Sequence, residues 1–235
     1  MSMTLTGLLT LLAFAALAAA QAFGFITSPP DRDMGDLQKI MYVHVPAAWS
    51  AFLCFFVVFV ESVRYLWRRD ERDDLIAASA AETGAVLTAL TLMLGSIWGR
   101  PTWGVWWAWD ARLTSTAVLL VIYAGYLALR AFADEPERRA QWSAAVGILG
   151  ALNVPVVYMS VKWWRTLHQL QSTPSTLDPR YAWSLRLNGL AVLAIAIVFM
   201  VHRYKIARLE RRAERVAEDE ALAYLPMDIL EEAHV

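Results

Sequence analysis

Cysteine is almost absent from this sequence, whose single cysteine, Cys54, lies within an apolar run. One cysteine excludes an internal disulfide and a Cys-x-x-Cys redox pair, and the missing Cys-x-x-Cys-His motif excludes a c-type cytochrome. Basic residues are missing from the N-terminus, so the apolar stretch 5–25 has no positively charged n-region before it. We therefore expect this stretch to be a retained membrane helix and not a cleaved signal peptide.

An excess of one charge is also lacking, because 21 Lys and Arg residues are balanced by 22 Asp and Glu residues, for a net charge of −1. This balance gives no indication of a nucleic-acid partner. Apolar residues, in contrast, make up 58% of the 235 positions, and the share in an ordinary soluble domain is roughly half. The composition predicts a polytopic protein embedded in a lipid bilayer.

Six apolar runs are long enough to cross the hydrocarbon core, for which about 20 helical residues suffice. They cover residues 5–26, 40–63, 75–97, 113–132, 142–161 and 183–204. Because a helix satisfies its own backbone groups in lipid, we predict an all-α bundle of six transmembrane helices in residues 1–204. Residues 205–235 form a predicted cytoplasmic tail that begins basic and turns acidic.

Lys and Arg are distributed unequally between the two sets of connecting segments. Thirteen of the 21 lie in the segments 64–72, 130–139 and 203–215. The other eight lie in or beside the segments 27–39, 98–112 and 162–182. Because cytoplasmic loops carry the excess of Lys and Arg, we predict that both termini are cytoplasmic and that the second set of segments faces outward.

The second outward segment is rich in tryptophan. Its five tryptophans are Trp98, Trp103, Trp106, Trp107 and Trp109. An aromatic belt at the lipid headgroups is one explanation, but a belt does not require the glycines, Pro101 and Asp110 interspersed here. Large flat side chains also stack on a large flat ligand, and a porphyrin is a planar, mostly apolar candidate.

The residues after Pro101 predict a short interfacial helix capped by Thr102. The spacing i, i+3, i+4, i+7 then places on one helical face Trp103, Trp106, Trp107 and Asp110. Arg100 and Arg112 flank this aromatic ledge and are candidates to bind carboxylates such as haem propionates. Interfacial anchoring, or pairing with Asp110, are the alternative roles for the two arginines.

Two histidines are predicted to lie at the same membrane level as the tryptophans. His44 is about one turn into the second span, and His168 follows the fifth span, so both reach the outer surface. Neutral imidazole is a common metal ligand and the usual protein ligand of haem iron, and a polar side chain at membrane depth suggests function. We predict that this pair binds iron. His202 and His234 fall on the cytoplasmic side, where we expect no such role.

Three of these segments resemble a known family. The run Trp-Gly-x-Pro-x-Trp-Gly-x-x-Trp-x-Trp-Asp-x-Arg-Leu-Thr-Ser at 98–115 is similar to the tryptophan-rich signature of haem-handling membrane proteins. Within that superfamily, Met-Tyr-Val-His-Val-Pro-Ala-Ala-Trp around His44 and Trp-Trp-Arg-Thr-Leu-His-Gln around His168 resemble the CcmC type of the cytochrome c maturation system. The resemblance covers spans two to six.

The resemblance implies a function in haem delivery without catalysis. Haem b would be held at the periplasmic face of the bacterial inner membrane, with His44 and His168 as axial ligands and the tryptophan segment as its platform. The implied recipient is a membrane-tethered periplasmic haem chaperone that attaches haem through a histidine of its own. A small single-span membrane subunit and an ABC-type transporter are the other implied partners.

Two further functions stay open on the residues alone. A membrane quinone oxidoreductase or haem-copper-type subunit would use the histidines for electron transfer, but such proteins normally hold stacked haems between facing histidine pairs, and only one level is supplied here. A transporter that moves haem through its own bundle needs polar groups along the path. The interiors of the first and fourth spans offer few of these, and at Asn153 and Pro155 we expect a local kink of the fifth span without transport.

Overall fold

The computed structural model describes residues 4–170 and 177–223 and contains six helices long and apolar enough to cross a membrane. They are α1 (Leu5–Thr27), α2 (Met41–Arg68), α3 (Glu71–Trp103), α4 (Ala111–Phe132), α5 (Pro136–Trp163) and α6 (Pro179–Ala223). A short 3-10 helix, Asp36–Ile40, leads into α2. The predicted all-α bundle of six transmembrane helices is confirmed, and the chain is a multi-pass membrane protein.

Four helices extend well beyond the predicted apolar runs, because hydropathy identifies only the part of a helix that lies in hydrocarbon. The largest extension is in α6, which continues through the first part of the predicted tail to Ala223. The helix α5 runs without interruption through Asn153 and Pro155. Residues 224–235, which include the acidic end of the predicted tail and His234, lie outside the described residues.

Short capped turns join the helices at the basic end of the bundle. The helix α2 stops where Arg69 adopts a left-handed conformation with φ of 57°. Asp70 then caps α3 by accepting a hydrogen bond from the backbone N–H of Arg72 at 2.9 Å. Such tight turns make consecutive helices antiparallel, so the segments after α1, α3 and α5 all meet at the opposite end of the bundle. We call it the outer end, after its predicted orientation.

The centre of the bundle is formed by α2, which packs against α3, α5 and α6, whereas α1 packs mainly against α6. Phe55 of α2 stacks on Tyr123 of α4 with ring centroids 3.8 Å apart. Gly84 of α3 leaves the space for this stack, because a Cβ there would lie 2.6 Å from the Phe55 ring. Small residues at such contacts let membrane helices approach closely.

Ion pairs connect the helices at the basic end. Arg130 of α4 donates two hydrogen bonds to Asp74 of α3, at 2.5 and 2.9 Å. Arg203 of α6 likewise pairs with Glu82 of α3, with one hydrogen bond of 2.8 Å. These contacts fix the α3, α4 and α6 ends on the side away from the tryptophan segment.

Buried polar side chains connect α1, α2 and α6 at the outer end. The Tyr42 hydroxyl donates to Ser28 Oγ at 2.5 Å, and Ser28 Oγ lies 2.9 Å from Ser184 Oγ. All three residues are buried. Because Tyr42 precedes His44 by two positions in α2, this network also fixes the part of α2 that carries the histidine.

Candidate functional site

The outer end of α3 contacts both predicted histidine ligands. The His44 ring of α2 lies 5.7 Å from the Trp98 ring in an edge-on arrangement. The His168 ring, from the segment after α5, lies 4.7 Å from the Trp103 ring. Trp98 and Trp103 both belong to the last turns of α3, so residues from three separate parts of the sequence meet at this helix end.

Gly95 provides the space that His44 occupies. A Cβ at position 95 would lie 3.0 Å from His44 Cε1. The imidazole is half-buried, and its Nδ1 is buried without a hydrogen bond to any described residue. A buried polar atom of this kind is costly unless it is used, so the arrangement fits a side chain that serves a ligand.

The carboxylate of Asp110 fixes the segment that carries His168. Its Oδ2 accepts hydrogen bonds from Thr166 Oγ1 at 2.5 Å and from the Leu167 N–H at 2.9 Å, and it lies 3.5 Å from His168 Nδ1. Its Oδ1 accepts from the Leu113 N–H at 2.8 Å and so caps α4. One carboxylate therefore joins the tryptophan segment to the segment after α5.

Burial and hydrogen bonding act in opposite directions on Asp110. Burial raises the pKa of the carboxyl, but the hydrogen bonds that it accepts outweigh this effect and hold the pKa below its ordinary value. Burial lowers the pKa of His168, and Asp110 opposes that shift only in part. At neutral pH the carboxyl is therefore ionised and the imidazole is uncharged, which is the form that binds metals.

The predicted short helix after Pro101 is wrong. Pro101 lies inside the last turn of α3, and the Thr102 hydroxyl donates to the Trp98 carbonyl oxygen at 2.8 Å instead of capping a new helix. Gly104 ends α3 in a left-handed conformation with φ of 77°. Residues 105–110 then form an irregular segment. The boundary is set by the glycine, which adopts the positive φ of a helix C-cap at little cost.

Three tryptophans therefore do not share a helical face with Trp103. Trp106 and Trp109 are 60% and 80% exposed. Trp107 is half-buried and packs edge-on against Trp109, with ring centroids 5.4 Å apart. The aromatic surface predicted at this end of the bundle is present as a loop, and two of its rings are open to a ligand, a partner or lipid.

The two flanking arginines have different surroundings. Arg100 is exposed and donates to the Gly104 carbonyl oxygen at 2.6 Å. Arg112 is half-buried and donates to the carbonyl oxygens of Val157 and Tyr158 at 3.4 and 3.1 Å. In the described part of the chain, neither arginine forms a salt bridge with Asp110, and Arg100 is the better placed to meet a ligand carboxylate.

Three residues that the sequence analysis did not select also belong to this region. They are Met34, Gly95 and Thr166. The Met34 thioether accepts a hydrogen bond from Trp98 Nε1 at 3.2 Å, which attaches the first outer segment to the tryptophan beside His44. Thr166 could have been selected from the sequence, because it is two positions from His168. Met34 could not, because its partner Trp98 is 64 positions away.

The sequence matches known proteins over most of its length. The family model CcmC, described as Heme exporter protein C, matches residues 1–219. The chain is 36% identical to Heme exporter protein C of Bradyrhizobium diazoefficiens over 203 residues. This alignment covers 84% of this chain and 77% of that protein. It is 35% identical to the protein of the same name from Escherichia coli K12 over 206 residues. This alignment covers 86% of this chain and 84% of that protein.

A third relative, Heme exporter protein C of Haemophilus influenzae, is 35% identical over 216 residues, 90% of this chain and 87% of that protein. The residues matched by the family model include the segments that carry both histidines and the tryptophans. The chain therefore belongs to the CcmC family, Heme exporter protein C.

Proposed function

We propose that this protein binds haem at the outer end of its bundle and delivers it for the maturation of c-type cytochromes. The observation that carries the proposal is the position of His44 and His168 at the same end of α3, where they contact Trp98 and Trp103. Two imidazoles can serve as axial ligands of haem iron, and tryptophan rings stack on a macrocycle. The names of the relatives also favour haem as the cargo.

The residues present fit a haem b molecule. His44 and His168 would bind the iron, and the exposed rings of Trp106 and Trp109 would cover part of the macrocycle. Arg100 would bind a propionate, since arginine meets a carboxylate with two parallel hydrogen bonds. Only Nη2 of Arg112 donates to the carbonyl oxygens of α5, so its remaining N–H groups would bind the second propionate.

Haem is cargo in this proposal, and no catalytic residue is needed. A carrier must release its cargo, so the exposure of Trp106, Trp109 and the ring of His168, 21% exposed, suits transfer better than a closed cavity would. Beside His168, Trp163 and Trp164 are 55% and 54% exposed and extend the aromatic surface towards a recipient. We infer that the recipient is a membrane-tethered periplasmic haem chaperone.

The assembly that we propose includes further membrane proteins. Other haem exporter components, namely ABC-type transporter subunits and a small single-span membrane subunit, would bind the helices of this chain in the bacterial inner membrane. The helix α1 packs mainly against α6 and exposes large side chains such as Leu8, Leu11 and Phe14. Lipid or a partner helix would cover this face.

Electron transfer through stacked haems is the second candidate function. It requires a further pair of histidines at the other membrane level. Among the described residues, that end of the bundle offers only His202, whose Nε2 is hydrogen-bonded to Thr10 Oγ1 at 2.9 Å. The distribution of histidines therefore favours haem binding at one level and delivery from it.

An absorption spectrum of the detergent-purified protein tests the proposal. We expect the wild type supplied with haem to show a low-spin Soret band that shifts or disappears in a His44→Ala, His168→Ala double variant, whereas a His202→Ala control keeps the wild-type spectrum. Unchanged Soret position and spin state in the double variant would reject the two histidines as ligands. A wild type that takes up no haem would reject the proposed function.

A further inference from the structure

Thr166, Asp110 and His168 form a connected group at the outer end of the bundle. Thr166 Oγ1 donates to Asp110 Oδ2 at 2.5 Å and accepts the backbone N–H of His168 at 3.1 Å. The same carboxylate oxygen lies 3.5 Å from His168 Nδ1. Asp110 is largely buried, with 8% of its side chain exposed, so this group is part of the packed structure and not a solvated surface pair.

We propose that Asp110 and Thr166 are positioning residues that orient the His168 ring for haem iron, an inference that rests on the proposed haem site. A carboxylate beside Nδ1 favours the tautomer with the proton on Nδ1, because that proton then points at a negative charge. The lone pair is left on Nε2, on the opposite side of the ring. Histidine ligands of metals are commonly oriented by a carboxylate in this way.

Asp110 acts on the haem site through the His168 segment and does not contact haem itself. Its Oδ1 caps α4 through the Leu113 N–H at 2.8 Å, so the carboxylate is attached to the first turn of a rigid helix. Its other oxygen accepts from Thr166 and from the Leu167 N–H at 2.9 Å. Through these hydrogen bonds the carboxylate holds the segment that carries His168. It would not bind the haem propionates, because they carry the same negative charge.

Thr166 holds both the carboxylate and the backbone next to His168. Its single hydroxyl proton is donated to Asp110, and its lone pair accepts the His168 N–H. Trp103 contacts the imidazole edge-on with ring centroids 4.7 Å apart. The His168 ring is therefore restrained by Trp103 and by the Asp110–Thr166 pair. No described carboxylate lies within salt-bridge distance of His44, which makes this support specific to one of the two ligands.

The experiment compares the full-length protein in detergent with three variants and one control. Thr166→Val removes the hydroxyl at nearly constant volume, Thr166→Ser keeps it, and Asp110→Asn removes the charge. The control is Thr27→Val, because the Thr27 hydroxyl is exposed at the end of α1 and donates only to its own helix, to the Phe23 carbonyl oxygen at 2.7 Å. Each protein is loaded with haem, and circular dichroism checks its helix content.

Two measurements follow on the loaded proteins: the rate of haem loss to an excess of apomyoglobin and the midpoint reduction potential. Loss of a residue that hydrogen-bonds to a metal ligand typically weakens metal binding about 10- to 100-fold. We expect Thr166→Val and Asp110→Asn to lose haem at least about tenfold faster. A weaker donor stabilises ferric iron less than ferrous iron, so the midpoint potential should rise, by about 59 mV for each tenfold loss of ferric affinity relative to ferrous affinity. Thr166→Ser and Thr27→Val should match the wild type.

A third measurement does not need haem. In protein labelled with 15N-histidine, a long-range 1H–15N spectrum distinguishes the two tautomers, and a His168→Ala variant assigns the signal. We expect the Nδ1–H tautomer in the wild type and in Thr166→Ser. An Nε2–H tautomer in the wild type would overturn the positioning role even if a variant fails to fold.

The outcomes separate the positioning role from the haem site itself. A wild type with a bis-histidine spectrum, and a folded Thr166→Val variant with unchanged haem loss and potential, would overturn the positioning role and leave the haem site standing. A wild type that takes up no haem would overturn both.

Discussion

His44 occupies space that exists only because residue 95 is a glycine. A Cβ at this position would lie 3.0 Å from His44 Cε1, so in Gly95→Ala the imidazole must move by a few tenths of an ångström. We expect roughly tenfold weaker haem binding, in the range seen for residues that orient a metal ligand. The measurement is a haem titration followed by the Soret band.

Gly125→Ala is the matched control for this prediction. Gly125 lies within α4, and a Cβ there would meet no other atom within 4 Å. Because alanine is the better helix former by about 1 kcal/mol, this variant should keep wild-type haem binding and lose no stability. Equal haem affinity in Gly95→Ala and the wild type would show that His44 does not depend on this packing.

The sequence allowed the histidines and tryptophans to be selected together, because each lies at a known distance from the end of an apolar span. The contacts of these residues were not predictable in the same way. Arg112 stays a predicted ligand for a carboxylate, but its hydrogen bonds to carbonyl oxygens of α5 that are 45 and 46 positions away were not predicted. Such pairings depend on how the helices pack, and no local pattern encodes them.

Helix ends were harder to predict than helix centres. The apolar runs gave all six spans, but hydropathy does not register the polar turns that extend α3 from Glu71 to Trp103. Pro101 suggested the start of a new helix, whereas the fixed φ of proline is also tolerated in the continuing α3. Gly104 was the decisive residue, because its left-handed conformation ends the helix and makes the rest of the tryptophan segment a loop.

The packing of α3 against α4 depends on one buried ion pair. Arg130 and Asp74 are 14% and 11% exposed and share a bond of 2.5 Å. Removing one partner of a buried pair leaves the other charge uncompensated, which typically costs about 3–5 kcal/mol. We expect Arg130→Gln to lower the thermal unfolding temperature in detergent markedly, and the double variant Asp74→Asn, Arg130→Gln to recover part of the loss.

An exposed ion pair serves as the control. Arg138 and Glu135 are 76% and 53% exposed and lie 2.7 Å apart. A surface pair contributes only about 0–1 kcal/mol, so Arg138→Gln should unfold at nearly the wild-type temperature. If Arg130→Gln were as stable as Arg138→Gln, burial of the Arg130 pair would not contribute to holding α3 and α4 together.

The whole molecule has two unlike ends. One end carries thirteen of the 21 Lys and Arg residues and most of the interhelical ion pairs. The other end carries His44, His168 and the tryptophan segment. The N-terminal end of α1 and the C-terminal end of α6 lie on the basic side, which the positive-inside rule predicts to be cytoplasmic. Delivery to a periplasmic recipient requires this orientation, so the orientation can be tested independently of haem.

Single cysteines can report which end faces the periplasm. Cys54, 3% exposed, is first replaced by alanine. Asp33→Cys then marks the exposed first outer segment, and Glu135→Cys marks the exposed turn before α5 at the basic end. A membrane-impermeant maleimide added to spheroplasts should label Asp33→Cys and should label Glu135→Cys only after lysis. The reverse pattern would place the histidines and tryptophans in the cytoplasm, where they could not transfer haem to a periplasmic chaperone. That result would reject delivery to such a partner even if the haem spectrum is as expected.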